Sequence, residues 1–115
     1  MNLEIIREDD QVTYLALQGR LGLSGVTDIE ADFQAHCIDR GVSTLVDMTY
    51  VDYSASMGLR LFLGAHKKLK AQGKKLKLFR TQDTVRQAFE SAGLTMLLSD
   101  ASDLESALAE LLDPA

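Results

Sequence analysis

The chain has 115 residues, 46% of them hydrophobic, with one cysteine, no tryptophan and a formal net charge of -5. That suits one domain with a core of its own, and a lone cysteine excludes both an internal disulfide and a cysteine-cluster zinc site. No run reaches the ~18 apolar residues of a membrane span, so membrane insertion is not expected.

Met1-Asn2-Leu3-Glu4 opens no basic region followed by an apolar stretch, so no secretory signal is read and the expected setting is cytoplasmic. Charge is segmental. Residues 1–52 hold ten acids and three bases, residues 53–82 hold eight bases and no acid, and residues 83–115 hold seven acids and one base. The protein is acidic overall and shows no helix-turn-helix pattern, so no nucleic-acid partner is expected. The basic block reads as a solvated face or a partner surface.

Leu3–Arg7 and Val12–Leu17 alternate as two strands, joined by the polar turn Glu8-Asp9-Asp10-Gln11. Gly19-Arg20-Leu21-Gly22-Leu23-Ser24-Gly25 is a glycine-punctuated connection without the spacing or lysine of a phosphate-binding loop. Either Ser24 or Thr27 caps the next helix, and Thr27-x-x-Glu30 fits a capping box. Val26, Ile29, Phe33 and Cys37 form its buried stripe, and Gly41 stands where a left-handed helix end is wanted.

Val42–Val46 is a short, continuously apolar strand of the kind covered on both faces. Asp47-Met48-Thr49-Tyr50-Val51-Asp52-Tyr53-Ser54-Ala55 then reads as a small and polar loop leading into a helix from about Ser56 to Gln72. Leu59, Phe62, Leu63, His66 and Leu69 face one way on that helix, while Arg60, Gly64, Lys67, Lys68 and Ala71 face the other. Lys74–Arg80 alternates as a strand, Thr81 or Asp83 caps a short helix that stops at Gly93, and Leu94–Leu98 reads as a last edge strand. Ser102-Asp103-Leu104-Glu105 has the form of a capping box for a final helix. Strands alternating with helices predict a single α/β domain over residues 1–115, a mixed sheet of about five strands packed with about four helices.

Catalytic patterns are sparse. His36 and His66 share no metal-ligand spacing, and no G-x-S-x-G elbow surrounds Ser24, Ser54 or Ser56. Asp47 and Asp52 flank the central loop without a phosphate-binding loop beside them, a weak signal for magnesium. The chain is therefore not read as an enzyme. A hydroxyl at the first turn of a helix, by contrast, lies among backbone N–H groups without partners, at the positive end of the dipole. Ser56 is at such a place, either as a cap or as an acceptor for a phosphoryl group.

The order of elements, with Leu45-Val46-Asp47-Met48-Thr49 and Ser56-Met57-Gly58-Leu59-Arg60-Leu61-Phe62-Leu63, resembles a STAS domain, the fold of bacterial anti-sigma factor antagonists. Gly19-Arg20-Leu21 is similar to the family's exit from its second strand, and Val85–Phe89 with Ala92-Gly93-Leu94 to its third helix. The family's central motif is Asp-Ser-Ser/Thr-Gly-Leu, and its first serine falls on Ser56. Ala55 stands in place of the aspartate and Met57 in place of the following Ser/Thr, while Asp47 keeps the strand-end aspartate.

The resemblance implies partner switching. The unmodified protein would bind an anti-sigma factor with an ATPase-like kinase fold, which phosphorylates Ser56, and a PP2C-like phosphatase would reverse the step. The implied contact surface is Asp47, Asp52, Tyr53, Ser54, Ala55, Ser56, Met57, Gly58 and Arg60, with no cofactor and no metal. A homo-oligomer is compatible with this pattern. The alternative implied by the same family is a subunit or scaffold of another complex, such as a lipid-transport ABC system or a stress-signalling assembly, without a phosphoswitch.

Overall fold

The computed structural model describes residues 1–114; Ala115, included in the expected domain, lies outside the described residues. Strands β1 (Asn2–Glu8), β2 (Val12–Leu21), β3 (Ser43–Ser54) and β4 (Leu76–Phe79) form one sheet in the order β1-β2-β3-β4. β1 is antiparallel to β2, while β2, β3 and β4 run parallel. Helices α1 (Leu23–Phe33), α2 (Ser56–Ala71), α3 (Asp83–Ser91) and α4 (Leu104–Leu112) fill the connections and the C-terminus. The mixed α/β architecture is thus the expected one.

The hairpin turn between β1 and β2 is fixed by Asp9, whose Oδ1 accepts the N–H groups of Gln11 and Val12 at 2.9 and 3.0 Å. Those bonds, with Arg7 beside it, hold the Asp9 carboxyl below the usual range. Along β2 and β3 successive side chains alternate faces. Leu15, Leu17, Val46 and Met48 point to one face, where α1, α2 and α3 bury Phe33, Phe62 and Phe89. Phe62 packs edge-on to Phe33 at 5.7 Å and tilted on Phe89 at 6.0 Å. Val12, Tyr14, Leu45 and Phe79 point to the other face, under Ala107 and Leu111 of α4. Being only nine residues long, α4 leaves the rest of that face bare, as a groove lined by residues of β1, β2 and β3.

Several elements depart from the pattern read in sequence. β3 does not stop at Val46 but continues through Asp47 to Ser54, pairing Gln18 with Tyr50 and Leu21 with Ser54. Register shifts between Ala16 and Gln18, and again between Gly19 and Arg20, break the period of two that identifies a strand. Thr95–Leu97 is a 3-10 turn, and the expected edge strand is reduced to a single parallel bridge from Leu98 to Leu78.

The caps differ too. Gly22 precedes α1 and Thr27 Oγ1 donates to the Leu23 carbonyl instead of capping. Gln82, not Thr81 or Asp83, is the α3 cap residue. Asp103, not Ser102, caps α4 by accepting the Ser106 N–H at 2.8 Å. The last turns after α1 widen into a π-helix, Gln34–Ile38, and end at Gly41 with φ +64, the left-handed helix end expected there. Cys37 is buried in those turns, and burial pushes its thiol up to about 12, so it is an inert core residue.

Candidate functional site

β2 and β3 end side by side, and the two helices that follow them start at the same rim of the sheet. The Ala55 N–H donates to the Leu21 carbonyl at 2.9 Å, tying the turn before α2 to the end of β2. Ala55 is the N-cap residue, in extended conformation and with no side-chain bond to the helix, so Ser56 is the first helical residue and not the cap. The cap carbonyl of Ala55 accepts from Gly58 and Leu59 at 3.0 and 3.3 Å. Ser56 is exposed, and its hydroxyl has no partner among the described residues. An exposed, uncommitted hydroxyl beside unpaired first-turn N–H groups is sterically and electrostatically suited to carry an anion.

Gly58 makes this turn possible. A Cβ there would overlap Ser54 Oγ and stand 3.0 Å from the Leu21 Cβ, so α2 meets the strand ends at backbone distance. Gly25 does the same for α1, where a Cβ would overlap the Arg20 carbonyl oxygen. One helical turn beyond Ser56, Arg60 is exposed to solvent and forms no ion pair among the described residues. The Arg20 guanidinium lies 4.4 Å over the Tyr53 ring, placing a second cation at the same rim.

The two helices also enclose a shallow groove of about 220 Å³ lined by Val26, Glu30, Met57, Arg60 and Leu61. At its α1 side Leu23 is 69% exposed, and Tyr53 is 42% exposed at the β3 end. Leu23, Val26 and Glu30 are absent from the residues expected from sequence. The only signal for them was an apolar residue inside a glycine-rich stretch, and nothing in the sequence puts α1 beside α2 at this rim.

Of the expected site residues, Tyr53, Ser54, Ala55, Ser56, Met57, Gly58 and Arg60 are brought together here. Asp52 is exposed nearby, its carbonyl accepting from Thr84 Oγ1 of α3 at 3.5 Å. Asp47 lies elsewhere. It is roughly 20 Å back along β3, at a rise of about 3.3 Å per residue, and it lines the bare groove on the opposite face of the sheet. There its Oδ1 accepts the N–H and hydroxyl of Thr49 at 2.9 and 2.6 Å. The histidines stay apart: His36 Nδ1 is 2.9 Å from Glu8 Oε2, and His66 sits on α2, its pKa lowered by burial and by Lys70 and Lys77.

A family model described as Mlab, STAS domain matches residues 5–100. The chain belongs to the STAS domain family.

Among STAS relatives, an anti-sigma-B factor antagonist of Listeria monocytogenes is 26% identical over 98 residues, 85% of this chain and 86% of its own length. A Bordetella bronchiseptica protein provisionally named anti-sigma factor antagonist BtrV is 31% identical over 101 residues, 87% of this chain and 86% of its own. The fold matches that of the anti-sigma factor antagonist SpoIIAA in its unphosphorylated form, with a TM-score of 0.80 at 23% identity over 95% of both chains. It also matches the phosphorylated form of the Bacillus SpoIIAA, with a TM-score of 0.72 at 22% identity over 95% of this chain and 98% of that one. In this STAS domain the strand-to-helix rim carries a hydroxyl at Ser56, and the position before it, Ala55, offers only a methyl group. Among the described residues, no helix is long and apolar enough to cross a membrane.

Proposed function

We propose that the protein is an anti-sigma factor antagonist that works by partner switching. The unmodified rim, from Tyr53 through Arg60, binds an anti-sigma factor of ATPase-like kinase fold and so frees the sigma factor. Phosphorylation of Ser56 by that partner ends the complex, and a PP2C-like phosphatase restores it. Asp52 completes the proposed surface at its acidic margin; Asp47, in the groove on the opposite face of the sheet, is not part of it. The names of the relatives support the antagonist role. The observation that carries the switch is the exposed, uncapped hydroxyl of Ser56 at the first position of α2.

The charge arithmetic is favourable to a switch without refolding. A phosphoserine adds about -1.5 to -2 charges at neutral pH. Within the free protein that charge is stabilised by the helix N-terminus. Inside an interface it is desolvated and lacks a partner, a cost of several kcal/mol against the roughly 8 kcal/mol that hold a micromolar complex.

A second reading rests on Ala55. Without a carboxylate at the cap position, the chain binds its partner constitutively, as a subunit or scaffold of a larger complex. Radiolabel incorporation from ATP by the cognate kinase separates the two. Stoichiometric labelling of wild type that disappears in Ser56→Ala supports the phosphoswitch. Labelling unchanged by Ser56→Ala, or no labelling of wild type, leaves the second reading in its place.

A further inference from the structure

The half of the sheet that α4 leaves bare has the makings of an interface. Ile6 is 48% and Tyr50 67% exposed there, two large apolar side chains on one groove. Exposed apolar side chains that share one patch, unlike scattered ones, mark contact surfaces. Glu4 and Asp47 flank them, and no basic side chain lines the groove, whose volume is about 240 Å³.

The complementary surface is on the same chain. Within the basic block, Lys77 pairs with Glu110 at 3.7 Å and Lys75 donates to the Glu110 carbonyl at 3.3 Å. Arg60, Lys67 and Lys68, on the outer ridge of α2, have no such partner among the described residues, although the chain carries seventeen acids. Gly64 sits in the middle of that ridge with no atom within 4 Å of a Cβ built on it, an open notch between cations. An aromatic ring seated in such a notch gains both contact and cation–π attraction.

We infer that the chain associates head to tail, the bare half of the sheet in one copy taking the basic outer ridge of α2 from the next. The two patches lie on opposite sides of the sheet, so one copy cannot close the contact on itself. A two-fold dimer would set acid against acid or base against base. The heterologous arrangement alone joins unlike charges, and it is open-ended. This inference does not depend on Ser56 or on any anti-sigma factor, and its failure leaves the proposed function untouched.

Sedimentation velocity over a concentration series tests it, at about 0.02 M and about 1 M salt, where the Debye length falls from roughly 20 Å to about 3 Å. The average mass should rise with concentration at low salt and return to the monomer at high salt. Glu4→Lys, and separately Lys67→Glu with Lys68→Glu, should each stay monomeric at low salt; all three positions are exposed, so folding is retained and is checked by circular dichroism. Mixed together, the two variants still own one intact acidic and one intact basic patch. The two reversed patches also carry unlike charges, so association should return in the mixture. A wild type monomeric at every salt and concentration overturns the inference. So does association that survives both charge reversals, or a mixture that stays monomeric.

Discussion

Gly25 and Gly58 sit where α1 and α2 leave the rim of the sheet, and neither has room for a side chain. At Gly25 the obstacle is the Arg20 carbonyl, which the β2 ladder holds in place; at Gly58 it is the movable Ser54 hydroxyl together with the fixed Leu21 Cβ. Gly64, on the outer face of α2, meets nothing. A single added methyl should therefore have three outcomes. Gly25→Ala should destabilise by about 3 kcal/mol and Gly58→Ala by about 1–2 kcal/mol, the scale of overpacking. Gly64→Ala should stabilise by about 0.5–1 kcal/mol, the ordinary gain of alanine over glycine inside a helix. Urea midpoints at constant m measure all three, and an inverted order would show that the rim is looser than drawn. The sequence marks Gly58 only through its place in a family motif. The close approach that demands it becomes visible when the ends of β2 and β3 are seen to converge.

At the scale of elements, the apolar stripes were readable and the ends were not. Val26, Ile29 and Phe33 on α1, or Phe62 and Leu69 on α2, announce themselves by their spacing because burial repeats with the helix. Ends depend on single hydrogen bonds, and more than one nearby hydroxyl or carboxylate can make them. Ser102 and Asp103 are adjacent candidates, and the backbone direction selected Asp103. β3 was hidden for a different reason: its irregular register sets Asp47, Thr49 and Asp52 out of phase with the buried Met48 and Val51. The run therefore looked like a polar loop. His66, placed on the apolar stripe by spacing, is only half-buried, and Ala65 occupies the buried position beside it.

The Asp103 cap carries a pH signature. Its bond from the Ser106 N–H holds the carboxyl below its ordinary 3.8. The stabilisation is complete above that unfolded value and is lost as pH falls through the lowered folded value. Between about pH 5 and about pH 3, Asp103→Asn, which accepts the same bond without titrating, should lose less stability than wild type. Parallel acid profiles for the two proteins would show that the cap contributes nothing.

For the whole molecule, fold and charge divide the labour. The sheet, with three helices on one face and α4 on half of the other, leaves a rim that presents Ser56 and a bare sheet face that presents carboxylates. The segmental charge seen in sequence becomes spatial: the basic block forms α2 and β4, which are enclosed by acidic neighbours in the chain but open to solvent along the helix. Composition disclosed that pattern. It did not disclose that the basic ridge and the bare groove face opposite ways, because that depends on which side of the sheet each helix packs.

The proposed role makes its sharpest demand on Ser56. Calorimetric titration of the cognate anti-sigma factor with wild type, Ser56→Ala and Ser56→Asp measures that demand directly. A partner switch at this rim requires wild type and Ser56→Ala to bind alike and Ser56→Asp to bind at least about tenfold more weakly, a loss of about 1.4 kcal/mol. Equal affinity for Ser56→Asp and wild type would contradict it.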